Sequence, residues 1–301
     1  MKQFVNFTLI FAAIVLLTLI TGECIISLQP NSYRYKNQWM NENSAEVELL
    51  ALGSSHGYYG LHSSTLHEKA FNMANVSQNF EYDYLLLQHH IPQLKRLKTV
   101  VLPLSYCSLF DKRFEECDDW WYAINYKKYM DIDVHSDYSK YNFELSNLPV
   151  YSGRLMEIVS GGELPLCDSI GFGMGYTLAT RSATWKEDAL MTVERHTADD
   201  WGYFEYNFGY LRKIAELCNE NSIDLIVVTL PAFHLYYDRL DTAQLNKMYQ
   251  TVTALRQEYE FRYCDYLRDK RFGEDDFYDV DHLSDVGARK FSLILKADFA
   301  F

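Results

Sequence analysis

The 301-residue chain carries 28 Lys and Arg against 41 Asp and Glu, a formal net charge of -13 at pH 7. That balance excludes nucleic acid as a partner, since nucleic acid needs a basic face, and it excludes docking on anionic lipid by charge alone. Apolar residues make up 48% of the chain, ample for a core, and the length suits one large domain with an insertion.

In residues 1–28, Lys2 precedes an apolar run from Phe4 to Ile20 that continues toward Leu28. It reads as a signal-anchor, a single membrane helix with the amino terminus inside; a cleaved signal and a buried core helix are the other readings. Either of the first two exports the rest of the chain and places it at or beyond the cell membrane. No small-x-small cleavage site is evident, and Glu23 makes the stretch before Cys24 a poor lipidation site. Residues 29–44 are polar, with Pro30, Asn31, Asn37, Asn41 and Asn43, which suits a linker. Residues 45–301 then form one α/β domain.

Val47 to Leu52 reads as a buried strand that ends abruptly in Gly53-Ser54-Ser55-His56. In an open parallel sheet, ligands bind at the carboxyl ends of strands, so Ser55 is a candidate nucleophile. His56 is a poor base for it, because neighbours on a tight turn project in different directions. Ala70 to Ala74 reads as a second strand followed by the Ser77 loop, Tyr82 to Leu97 as largely helical with a break at Pro92, and Thr99 to Leu104 as a third strand ending at Ser105. His89-His90 reads as surface or packing histidines, since adjacent helical residues diverge by about 100°.

From 111 to 199 the periodicity fades. This insertion carries Trp120-Trp121-Tyr122, Tyr126, Tyr129, Tyr138, Tyr141 and Gly171-Phe172-Gly173-Met174-Gly175-Tyr176, which lacks the ending of a phosphate loop. Its rings either pack the insertion onto the domain or line a groove for sugars or acyl chains. Regular structure returns with a helix from Trp201 to Asn221 and a buried strand from Ile223 to Leu230. His234 lies at the carboxyl end of that strand, as a substrate contact or as a structural loop histidine. A helix from Thr242 to Glu258, a short strand from Phe261 to Tyr266 and a final helix capped by Ser284 complete the pattern. The alternation predicts a doubly wound, flavodoxin-like parallel sheet of about five strands flanked by helices.

Just before the last helix, Asp279 and His282 stand three apart in Asp279-Val280-Asp281-His282, a spacing at which the carboxylate reaches the imidazole. Asp281, adjacent to the histidine, is expected to project elsewhere. Ser55, His282 and Asp279 make a triad on paper. Neither cofactor nor metal is expected, because no two cysteines are spaced as a ligand pair. A disulfide scaffold is not expected at this size, and a Cys107 to Cys117 bridge stays open.

The Gly-Ser-Ser turn closing the first strand, together with Asp-x-x-His opening the last helix, resembles the SGNH (GDSL-type) hydrolase superfamily over roughly residues 45–110 and 200–299. With an apolar segment ahead of it, the chain looks most like the envelope branch that holds the teichoic-acid D-alanyl transfer and alginate O-acetylation proteins. The resemblance implies a membrane-tethered serine acyl esterase or acyltransferase acting on an envelope glycan. Its implied partners are an acylated glycan or acyl donor and a membrane-bound acyltransferase. The backbone N–H groups of Ser55 and Ser77 would hold the oxyanion, Ser77 standing where the family usually has glycine. The family's third block usually supplies an asparagine; here Ser105-Tyr106-Cys107-Ser108 has none, and Ser105 is the best substitute. A module that keeps the fold and binds a glycan without catalysis is the alternative.

Overall fold

The computed structural model describes residues 1–132, 142–162 and 166–301. The chain opens with helices α1 (Lys2–Leu28) and α2 (Ser32–Asn43). Strand β1 (Leu49–Ala51) leads into two short helices, α3 (Ser55–Gly60) and α4 (Ser63–Leu66), and then come β2 (Ala70–Asn72), α5 (Phe80–His90) and β3 (Thr99–Pro103). Four helices come next: α6 (Tyr122–Tyr129), α7 (Leu148–Val159), α8 (Ala189–His196) and α9 (Phe204–Glu220). The chain closes with β4 (Asp224–Thr229), α10 (His234–Tyr237), α11 (Thr242–Glu258), β5 (Arg262–Asp265) and α12 (Asp285–Phe299).

The five strands form one parallel sheet in the order β2-β1-β3-β4-β5, the doubly wound arrangement expected from the alternation of elements. In register, Leu49 of β1 lies between Ala70 of β2 and Thr99 of β3. Both faces of the middle strands are covered, which is why β1, β3 and β4 read as continuous apolar runs rather than alternating ones. Edge strand β5 carries Arg262 and Asp265, exposed charges that blunt an open edge. Helices α5 and α9 pack together, and α12 packs on α3 and α4, so the last helix sits beside the serine turn.

Helix α1 is long and apolar enough to cross a membrane: the mean hydropathy of its most apolar 18 residues is 2.5, and at 1.5 Å per residue the helix extends roughly 40 Å. Most of it is exposed, and only Gly22 and Ile26 near its end are buried. That end is seated on the domain. Tyr151 Oη donates to the Leu19 carbonyl at 3.0 Å, while the Glu23 carboxylate accepts from the backbone N–H groups of Glu144 and Leu145, each at 3.0 Å, and from Lys128 at 2.6 Å.

The stretch expected to be a linker contains helix α2, with Asn31 capping it by accepting from Arg34 N at 2.9 Å. Its inward stripe is Tyr33, Lys36 and Met40, all buried. A lysine in the middle of a buried stripe hides the helical pattern from the sequence. The Lys36 ammonium donates to the Ala74 carbonyl and lies 4.4 Å above the Tyr58 ring, and burial pushes its pKa down to about 7.

In the insertion, Tyr126 is buried edge-on to Tyr33 at 5.1 Å and beside Tyr82 at 4.4 Å, so this ring packs the insertion onto the domain. Tyr138 and Tyr141 lie outside the described residues. All six cysteines are free thiols, so Cys107 and Cys117 are not bridged.

Candidate active site

The serine turn is set by Gly53. Its φ of +108° belongs to the region that glycine favours, and a Cβ there would come within 2.9 Å of Pro103 Cδ. Its N–H donates to the buried Asp83 carboxylate at 2.7 Å, and its carbonyl accepts from Asn75 N at 3.2 Å, tying the turn to the loop after β2. Burial pushes the Asp83 pKa up to about 7 against the hydrogen bonds it accepts from Gln78 and Gly53. Ser54 is then the last residue before α3 and Ser55 the first residue of the helix.

The opposing loop is curled by Asp279. Its Oδ1 accepts from the backbone N–H of Asp281 at 3.0 Å and of His282 at 2.7 Å, and the His282 imidazole comes back onto the same carboxylate at 3.0 and 3.1 Å through Nδ1. The other ring nitrogen, Nε2, is 2.8 Å from Ser55 Oγ. A carboxylate can only accept, so the proton sits on Nδ1 and Nε2 is free to receive the serine's proton. Burial alone would lower the His282 pKa, but the Asp279 and Asp281 carboxylates outweigh it and hold the ring well above the ordinary histidine value. The geometry brings Ser55, His282 and Asp279 into one hydrogen-bonded line.

Asp281 departs from expectation. Rather than projecting elsewhere it is turned inward by the same curled loop. Its Oδ1 lies 3.5 Å from His282 Nδ1, and its Oδ2 is 3.3 Å from His56 Nε2 and 3.9 Å from His196 Nδ1. Burial would raise its pKa, yet His282 and His56 hold it well below the carboxylate range. Among the described hydrogen bonds none joins the His56 ring to the Ser55 hydroxyl. The ring instead stacks on that of His282, with centroids 4.5 Å apart and planes 10° apart, and its Nδ1 is 3.0 Å from Ser105 Oγ and 3.4 Å from Ser54 Oγ. His196, at the end of α8, bonds Tyr236 Oη at 2.8 Å, and burial takes its pKa down to about 4. A second layer of His56, Asp281 and His196 thus adjoins the triad, with Asp281 at its buried centre.

The other expected site residues divide. Ser105 supports His56. Ser77 has φ 58°, the left-handed conformation that glycine would adopt most easily, and its hydroxyl donates to Asp119 at 2.6 Å. His234 is more than half exposed and lies 3.9 Å from Asp238; no described contact joins it to the triad.

Three tyrosines that the sequence does not single out for this site stack at its edge. Tyr59 lies on Tyr176 at 3.7 Å and Tyr176 on Tyr278 at 4.0 Å, with Tyr176 edge-on to His282 at 5.4 Å. The glycine-rich stretch of the insertion positions this stack: Gly173 N donates to the Tyr58 carbonyl at 2.8 Å, and the Tyr176 carbonyl accepts from Asp285 N at 2.8 Å.

His56, Asp281 and His282 offer ligand atoms within 4.8 Å of one another, a grouping that could hold a metal ion. Both nitrogens of His282 are already committed to Asp279 and Ser55, so an ion there would dismantle the triad. The chemistry available is proton transfer from a serine hydroxyl through an oriented imidazole, as nucleophilic acyl transfer requires.

No family model matches the chain, and no curated protein matches it. Among solved structures it is similar to a candidate acylhydrolase from Bacteroides fragilis, at 13% identity over 87% of this chain and 95% of that one, with a TM-score of 0.42. It is similar to a candidate platelet activating factor from Streptococcus pneumoniae, at 12% identity over 97% and 99% of the two chains, TM-score 0.43. A GDSL-like lipase from Bacteroides thetaiotaomicron shows 14% identity over 90% of this chain and all (100%) of its own, TM-score 0.42.

Proposed function

We propose that the chain is an SGNH-type serine acyl esterase or acyltransferase, tethered to a membrane by α1 and acting outside the cytoplasm on an acylated envelope glycan. The observation that carries this reading is the unbroken line from Ser55 Oγ to His282 Nε2 at 2.8 Å and from His282 Nδ1 to Asp279 at 3.0 Å. Ser55 attacks the ester carbonyl while His282 takes its proton, and the imidazolium so formed is held by Asp279 and Asp281. His282 returns the proton to the departing sugar hydroxyl. The acyl-serine is then resolved by water, or by an acceptor hydroxyl if the reaction is transfer, with His282 again as base. The N–H groups of Ser55 and Ser77 are the oxyanion donors, Ser77 in the backbone conformation that this role asks of a glycine. Lys2 ahead of the apolar run supports an amino terminus on the cytoplasmic side.

The missing third-block asparagine favours a second reading, a glycan-binding module without turnover. A lost oxyanion donor costs roughly 3 kcal/mol of transition-state stabilisation, which slows an esterase without silencing it. A fluorophosphonate probe separates the two. The enzyme reading expects labelling of the folded protein that disappears in Ser55→Ala, and absence of labelling in the wild type would refute it.

A further inference from the structure

At the foot of α1, against the Asn75 and Val76 loop that leads to Ser77, lies a cavity of about 250 Å³. It is smaller than the roughly 300–1,000 Å³ that drug-sized ligands occupy, room for a single ring. Its walls are flat and aromatic: Tyr33, Tyr58, Tyr59, Trp121, Tyr122 and Tyr129. The aliphatic side chains among the lining residues are only Ile26 and Val76, a poor lining for an alkyl chain. One wall residue also neighbours the triad. Tyr59 belongs to the helix that Ser55 opens, and its ring stands edge-on to His282 at 6.5 Å.

The polar side of the cavity has an open position. Asn125, 2% exposed, lines it, and its Nδ2 has no hydrogen-bond partner among the described residues. Buried amide donors are rarely left so in a finished core, which points to a ligand oxygen as the partner. Arg154 also lines the cavity, held over the Trp121 ring at 5.0 Å and paired with Glu144 at 2.5 Å. Aromatic plates beside amide and guanidinium donors suit a molecule with an apolar ring face and a rim of hydroxyls.

The geometry points to this cavity as the seat of one pyranose ring of the substrate, stacked on the tyrosine and tryptophan walls with a ring oxygen or hydroxyl on Asn125. The assignment deepens the esterase reading by giving its glycan a place against the helix that Ser55 opens. It is tested by binding, apart from turnover.

Full-length protein in a non-glycosidic detergent is titrated by saturation-transfer NMR with the methyl glycosides of glucose, galactose, mannose and N-acetylglucosamine. At least one should bind, and Asn125→Leu and Trp121→Ala should each weaken it about tenfold. Trp121 is partly exposed, so its variant decides the question should Asn125→Leu fail to fold in a thermal melt. No binding by any of the glycosides overturns the assignment. So does affinity within about twofold of wild type in the folded variants, or octanoate binding in place of the sugars and lost in both variants. Fluorophosphonate labelling of the same preparations reports the esterase reading separately. Sugar bound without labelling sinks the enzyme and keeps the seat, whereas labelling with no sugar bound sinks the seat alone.

Discussion

The two aspartates two residues apart at the head of α12 face the same imidazole in opposite ways. Asp279 is 31% exposed at its side chain and bonds two backbone amides and one ring nitrogen in good alignment. Asp281 is 2% exposed, stands among three imidazoles at 3.3 to 3.9 Å, and leaves its Oδ2 without a hydrogen bond among the described residues. The outer carboxylate acts by direction, fixing ring and tautomer. The inner one acts by charge, since a buried anion raises the proton affinity of every ring around it without aiming at one.

The largest effect should come from removing direction. Asp279→Asn is expected to lower kcat on 4-nitrophenyl acetate by about 10⁴-fold, as in triads whose orienting carboxylate is neutralised, while denaturant unfolding changes by less than about 1 kcal/mol. Turnover retained in Asp279→Asn and lost in Asp281→Asn would invert the comparison. The second effect is on stability. Asp281→Ala strands three imidazoles around a vacated buried charge and should cost about 3 kcal/mol, read from the urea midpoint at unchanged slope.

The pH profile sharpens the contrast further. His282 must be neutral to act as base, so kcat/KM falls as pH drops through its pKa, which both carboxylates raise. The acidic limb should therefore lie at higher pH than that of an ordinary histidine near 6.5, and Asp281→Asn should move it toward lower pH. A limb that stays in place in the variant would show that Asp281 does not set this proton affinity. Smallest is Ser105→Ala. It removes the hydroxyl on His56 Nδ1 and should slow turnover by about fivefold, close to one ordinary hydrogen bond. A drop of about 10³-fold would instead make Ser105 an oxyanion donor.

The outer layer is legible in the sequence because each half is local: an apolar run broken by Gly53-Ser54-Ser55, and a carboxylate three residues before a histidine. The sheet is legible for a similar reason, as strands buried on both faces are written as plain apolar runs. The inner layer has no such local text. His56, His196 and Asp281 arrive from three distant segments, and His196 lies in the stretch where periodicity fades. Asp281 defies its expected direction because the rule for neighbouring residues ignores the turn that Asp279 imposes by bonding the amides of Asp281 and His282. Helix α2 is hidden because its buried face holds Lys36, whose cost of burial is met by a carbonyl and a tyrosine ring that sequence cannot put beside it. Tyr59 and Tyr176 are two rings among many in the sequence, brought together by backbone bonds from Gly173 to Tyr58 and from Asp285 to Tyr176.

The way Glu23 is held at the foot of α1 bears on how far the protein can reach. A flexible tether as long as residues 29–44 would let the domain wander by roughly 20 Å. Here the last turns of α1 are clasped by Leu145, Glu144, Lys128 and Tyr151, and the residues after them are helical and packed. With α1 in a bilayer, Ser55 would work at one height and one tilt above it. On the proposed reading the reactive layer would be a thin shell parallel to the surface: a polymer would be modified where it passes through that shell, and encounter would be governed by lateral diffusion within the membrane plane.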